Sequence, residues 1–225
     1  MKKMLVFLLL SSLFVSGSYS VALNGDTPDA AQDQTVQTQA APLDMKKIKP
    51  ISRDSKDPLV LTLLGRKYFM LSSEAGEDSN QWGNVYAPKG TSIKELNFEK
   101  PDQDVIFIVK TTDTTCSNVI QEMFGALEDS KADSFDTRNP NDQFVSVIHE
   151  EEDSTRSSYL AMRFVQAGQD VFSMWIWVLR GNTPAEQWQQ TSQVVKSTLQ
   201  NTPHTVLTNH FIDSPCRFGS DCRFN

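Results

Sequence analysis

Cysteine and histidine are scarce in this sequence, at three residues each among 225, and they come with no glycine-rich run, no basic tract and no second long apolar stretch. Each shortage removes a class of function. Without a glycine-rich turn there is no backbone cradle for a nucleotide phosphate. Lys and Arg number 21 against 28 Asp and Glu, a formal charge of -7, so the surface repels phosphate backbones, and with no basic patch to override it nucleic acid is not an expected partner. The lack of a polybasic segment argues equally against attachment to anionic lipid.

The informative residues stand at the start. Lys2 and Lys3, the apolar run Met4 to Leu10 and the small residues Ser16-Gly17-Ser18-Tyr19-Ser20 have the order of a secretory signal peptide. Cleavage is expected after Ser20 or Ala22, which makes residues 1–22 the signal and leaves a mature chain two charges more acidic. Met4 to Val15 falls well short of the roughly 20 residues that span a bilayer, and no cysteine near the exit offers a lipid anchor. The expected location is secreted or periplasmic, where disulfides persist, with no stable membrane anchor after cleavage. Residues 23–57, rich in Gln, Asp, Thr and Ala from Ala30 to Pro42, hold too few hydrophobes to offset the entropy of ordering and read as a disordered acidic, Gln-rich leader. A single domain over 58–201 and a C-terminal tail over 202–225 complete the expected organisation.

Within the domain, Leu59 to Leu64 and Arg66 to Ser72 read as two strands meeting at Gly65. Trp82 to Ala87 is a short strand closed by Pro88-Lys89-Gly90, and Val105 to Val109 is an unbroken apolar run suited to a central strand buried on both faces. Val119, Ile120, Met123, Phe124 and Leu127 fall at helical spacing, with Thr114, Thr115 and Ser117 as candidate caps and an end that fades around Ser130 to Asp133. Gln143–Glu150, Ser157–Val165 and Val171–Arg180 follow as an antiparallel meander. In the last of these, Val171, Ser173, Trp175, Trp177 and Leu179 face one way and Phe172, Met174, Ile176 and Val178 the other, so both sides should be covered. Thr183-Pro184-Ala185-Glu186 is a capping box with proline at the first helical position. It opens a helix whose Ala185, Trp188, Val195 and Leu199 should dock on the sheet, with Trp188 as anchor. The fold class is α+β, a mostly antiparallel sheet with two main helices packed on it.

This element order, with the closing strand from Val171-Phe172-Ser173-Met174-Trp175 and the helix to Leu199, resembles the Mog1/PsbP-type α/β sandwich over residues 59 to 201. The resemblance implies an accessory or binding module and carries over no functional residue.

Four groupings bear on chemistry. Cys216 and Cys222 flank Arg217 to Asp221, where Gly219 permits a reversal, and are expected to close a small disulfide ring; the competing expectation is two reduced thiols in a disordered tail. His204, His210, Cys216 and Cys222 have the composition of a structural zinc site but none of its short ligand intervals, so no metal is expected. Glu150 to Asp153 lacks the alternating ligands and turn glycine of a calcium loop and reads as a solvated hairpin tip. Cys116 stands at a predicted helix start, where a thiol pKa is lowered, and His149 ends a later strand, an order loosely similar to papain-like cysteine hydrolases. No cofactor is implied. The leading expectation is an exported, non-catalytic binding or accessory protein of the cell envelope or secreted fraction, whose partner is a protein or envelope component. A surface including Trp82 and the loop Ser73 to Asn84 is its expected partner site; the alternative is an exported cysteine hydrolase using Cys116 and His149.

Overall fold

The computed structural model describes residues 48–54, 57, 59–76, 80–91, 103–125, 132–150, 156–181, 188–209, 211–213 and 215–217. The expected signal peptide, the expected leader up to residue 47, the capping box Thr183 to Glu186, Glu151 to Asp153, His210 and Cys222 lie outside these residues.

Strand formation follows the apolar alternation, and every pairing in the sheet is antiparallel. The strands are β1 (Ser52–Arg53), β2 (Val60–Leu63), β3 (Arg66–Ala75), β4 (Gln81–Pro88), β5 (Gln103–Thr111), β6 (Ala132–Asn139), β7 (Asp142–Glu150), β8 (Arg156–Ala167), β9 (Asp170–Gly181) and β10 (Cys216–Arg217). They lie in the order β1-β2-β3-β4-β5-β9-β8-β7-β6, with β10 on β3. The helices are α1 (Cys116–Gly125), α2 (Trp188–Asn201) and the single turn α3 (His204–Thr208). The fold is α+β, as its sequence reads.

The expected hairpin is β2–β3. Its turn takes positive φ at both Leu64 (52°) and Gly65 (79°), the conformation of a type I′ connection that matches strand twist. Thr115 caps α1: its hydroxyl accepts from the Asn118 amide at 3.3 Å and its carbonyl from that of Val119 at 3.0 Å.

β9 is buried continuously from Val171 to Val178, because its two apolar faces serve two cores. One contains Phe172, Met174, Ile176 and Val178 with Tyr159, and with Trp188, Val195 and Leu199 of α2 and Val206 and Leu207 of α3. The other holds Val171, Trp175 and Trp177 with Phe107, Met162 and Phe164, and with Cys116 and Val119 of α1. Trp188, 1 % exposed, stacks on Tyr159 with centroids 6.1 Å apart and anchors its helix as expected.

The folded body extends past both expected boundaries. Ile51 is fully buried and its amide donates to Thr202 Oγ1 at 3.0 Å, although the first residue stood in the leader and the second in the tail. Since Thr202 sits over β8 and Ile51 precedes β1 at the far edge, this bond requires the sheet to curl around the core that carries α2. β1, β6, α3 and β10 are further elements beyond the expected ones. β6 is a polar edge strand with two register irregularities, which erase the alternation that marks a strand.

Candidate functional site

On the face that carries α2 and α3, register alone aligns two rows of side chains across six strands. The inner row runs Ser73, Asn84, Ile108, Met174, Arg163, Phe144, and the outer row Ala75, Trp82, Lys110, Phe172, Val165, Asp142. Three members of the inner row are polar yet buried: Ser73 at 0 %, Asn84 at 1 % and Arg163 at 3 % exposure. A polar group in such a place costs free energy unless it is hydrogen-bonded, and each of the three donates to a carbonyl of the chain from Leu199 onward, Arg163 also to the Asp142 carboxylate.

At one end of the rows, Arg163 donates through Nε and Nη2 to the two oxygens of Asp142, each at 2.8 Å, and through Nη1 to the carbonyls of Leu199 (2.9 Å) and Thr202. Its guanidinium also lies 5.0 Å from the Phe144 ring centroid. The last carbonyls of a helix have no partner within it, so Arg163 serves as a cap for α2 supplied by the sheet. The His204 ring bonds Asp142 Oδ2 at 2.8 Å and ties the start of α3 to the same carboxylate. Burial pushes the Asp142 carboxyl up, but the Arg163 hydrogen bonds and charge, with His204 behind them, outweigh it and hold the group below the usual carboxylate range.

At the other end, Trp82 is half-buried and its indole N–H donates to Ser73 Oγ at 2.6 Å. Ser73 Oγ in turn donates to the Ile212 carbonyl at 2.8 Å, and Asn84 Nδ2 donates to that same oxygen at 2.8 Å. Asn84 Oδ1 is buried with no hydrogen-bond partner among the described residues. Phe211, half-buried, meets Phe172 edge-on at 5.6 Å, and Lys110 sits 5.9 Å from the Phe172 centroid while pairing with Asp170 at 3.1 Å. Trp82 is therefore not a tip residue in a loop, since Ser73 to Ala75 and Gln81 to Asn84 are paired strand ends. It pairs across the sheet with Lys110, whose neighbour in the same row, Phe172, carries the half-buried Phe211. No protein-family model and no curated protein matches this chain.

Cys116 and His149 are not brought together. The Cys116 amide bonds Gln166 Oε1 at 3.1 Å, and Gln166 Nε2 holds the carbonyls of Thr114 and Gly168 at 2.9 and 3.1 Å, so the cysteine lies at the Asp142 end of β7 and β8. His149 pairs with Ser158 seven residues further along β7, about 23 Å away at strand rise. The thiol is 1 % exposed. Burial, with the Asp142 charge second, pushes it up to about 11, opposite to the lowering expected of a helix start.

Among the described residues no group of His, Cys, Asp and Glu is arranged to hold a metal. His204 rests on β7 while Cys216 pairs with Ser73 on β3, five strands away in the sheet order. The expected Cys216–Cys222 ring involves Cys222, outside the described residues.

Arg163, Asp142, Ser73, Asn84, Thr202 and Ile212 carry this site; Ser73 and Asn84 bound the segment expected to bind a partner, and the other four have no functional role in the sequence expectations. A signal was present in β8, where Tyr159, Ala161 and Val165 share a face with Arg163, and a polar residue interrupting an apolar period marks a buried partnered group.

Proposed function

We propose that this chain is an exported binding or accessory protein of the cell envelope or secreted fraction that acts without catalysis and recognises a protein or envelope component. The Trp82 end of the sheet is its partner surface. The fold-level likeness to Mog1/PsbP-type sandwiches belongs to the same proposal and points to an accessory role.

The observation that carries the reading is the state of Trp82. The other three tryptophans are buried in the cores, whereas Trp82 is only half-buried, beside its cross-strand neighbour Lys110. A half-buried aromatic residue with its polar atom already satisfied presents apolar area to a partner at little desolvation cost. The tip residue Asn80 is exposed beside it.

The test is site-specific photo-crosslinking in cells that export the full chain. A photoreactive residue at Asn80 should give one discrete adduct that disappears with Trp82→Ala, while the same residue at Lys89, exposed beyond the other end of β4, gives none. An adduct that persists in the Trp82→Ala chain, with native circular dichroism retained, would overturn the assignment of the surface.

A further inference from the structure

The sheet edge beside Trp82 is already occupied by a peptide, the chain's own. The ladder of β2 with β3 ends at Phe69, followed by one bond from the Met70 amide to the Leu59 carbonyl, and further along the same edge Cys216 and Arg217 pair with Ser73 and Ser72. Upstream, Ile212 is 5 % exposed, and its carbonyl takes both the Ser73 hydroxyl and the Asn84 amide. Phe211 packs on Phe172. Two side-chain sites, one doubly held main-chain carbonyl and a short ladder along a strand edge are the contacts by which sheets bind extended segments.

From this geometry we propose that Ser73, Asn84 and the edge of β3 at Ser72 and Ser73 form a peptide-binding groove, filled here in cis by Phe211–Ile212 and Cys216–Arg217. Its ligand is an extended segment of a partner protein that presents an aromatic and then an aliphatic residue. The inference deepens the binding reading of the Trp82 surface by naming the class of ligand, and it rests on that reading.

Asn84 Oδ1 makes the resident segment an imperfect ligand. This acceptor is buried and receives no N–H from the described residues, a state that costs as much as a lost hydrogen bond. A partner segment that supplies a donor there gains over the resident one. Trp82 links surface and groove, because its indole N–H bonds the same Ser73 hydroxyl that holds Ile212. A partner that moves the indole therefore loosens the resident segment, and a peptide in the groove resets the indole.

A tethered occupant acts at an effective concentration in the millimolar range, so the wild-type chain should ignore micromolar peptide. The probe is a fluorescent peptide copying residues 209–217 with serine in place of Cys216, titrated into full-length protein. Ile212→Ala weakens the resident segment and should raise peptide affinity at least tenfold over wild type, and adding Ser73→Ala should remove that gain. A natively folded Ile212→Ala chain that binds no peptide, or that binds equally with Ser73→Ala, overturns the proposal.

Hydrogen exchange on the wild-type chain tests it independently of folding in the variant. Amides of 211–217 should exchange at least a hundredfold faster than those of Val171 to Val178, and equal protection would make the segment a fixed part of the core and overturn the proposal. Dimerisation of Ile212→Ala by mutual tail exchange, without peptide binding, would also overturn it and assign the groove to a second copy. Peptide binding without a Trp82-dependent adduct from Asn80 defeats the partner surface, and the reverse result defeats the groove.

Discussion

Replacing Arg163 with methionine removes the charge that justifies burying Asp142, and it should be among the most damaging single changes in the molecule. The side chains of Arg163 and Asp142 are 4 % and 15 % exposed. Breaking such a pair by deleting one partner costs about 3–5 kcal/mol, here with the carbonyls of Leu199 and Thr202 also losing their donor. Against a total stability of about 5–15 kcal/mol, a loss of about 4 kcal/mol lowers Tm by roughly 8–16 °C for a body of this size. The pH dependence supplies a second reading. In the wild-type protein the Asp142 pKa is lowered, so its contribution to stability is present above the unfolded value of about 3.9 and is lost as pH falls through the folded value. In Arg163→Met burial acts with only His204 to oppose it and raises the folded pKa. The carboxyl then favours folding only while protonated and opposes it as pH rises. The stability gap between the two proteins should therefore narrow from pH 7 to pH 4. Urea titrations at pH 7, 5 and 4, followed by circular dichroism, measure both effects, and Asp142→Leu in the same chain should recover much of the loss. A cost below about 1 kcal/mol at pH 7, or a gap that stays constant with pH, would refute the account of the pair as a buried, mutually dependent one.

The remaining predictions are smaller in scale. Leu64 holds φ at 52° while 52 % exposed, so Leu64→Asn should gain about 1 kcal/mol by relieving left-handed strain, seen as a Tm rise of about 2–4 °C; Gly65→Ala should move Tm the other way. Cys116 should resist a thiol reagent at pH 8 until the chain is unfolded, and Cys116→Ser should cost about 1–3 kcal/mol by burying a hydroxyl in the thiol's place. Rapid labelling of Cys116 below neutral pH in the folded protein would contradict its position under α1.

The strands with apolar period were legible because their side chains face two cores and repeat every second residue, as β9 shows from Val171 to Val178. Trp188 was legible for the same reason, at helical spacing. β6 was not, since an edge strand whose register shifts twice and whose residues include Asp133, Asp136 and Arg138 has no apolar period in its sequence. The Cys116–His149 alternative drew on a local feature, a cysteine at a helix start, where the outcome was decided by distant packing: burial overrides the helix end and raises the thiol. Of the inner row, local pattern marks only Arg163, which interrupts the apolar period of β8. Ser73, Asn84 and Arg163 are ordinary surface residues by type, and only register places them on one face beneath the returning chain.

That returning chain also shows why residue 201 is not a domain boundary. α2 ends at Asn201 with its last carbonyls still in need of donors, and the residues that complete it come afterwards: Thr202 bonds Thr198 and Ile51, and His204 bonds Asp142. Beyond them Val206, Leu207 and Ile212 are 8 %, 0 % and 5 % exposed, each worth about 1.5–3 kcal/mol of burial. A chain ending at Asn201 gives up all three, roughly 5–9 kcal/mol, which is comparable with the stability of a whole domain. It should show no cooperative urea transition. A chain ending at Asn209 keeps Val206, Leu207 and the Asp142 anchor and loses only the segment on β3, so it should unfold cooperatively with a lower midpoint. Equal behaviour of the two truncations would mean that α3 adds nothing to the core. The expected difference separates the part of the tail that builds the fold, up to Asn209, from the part that occupies the groove, from Phe211 onward.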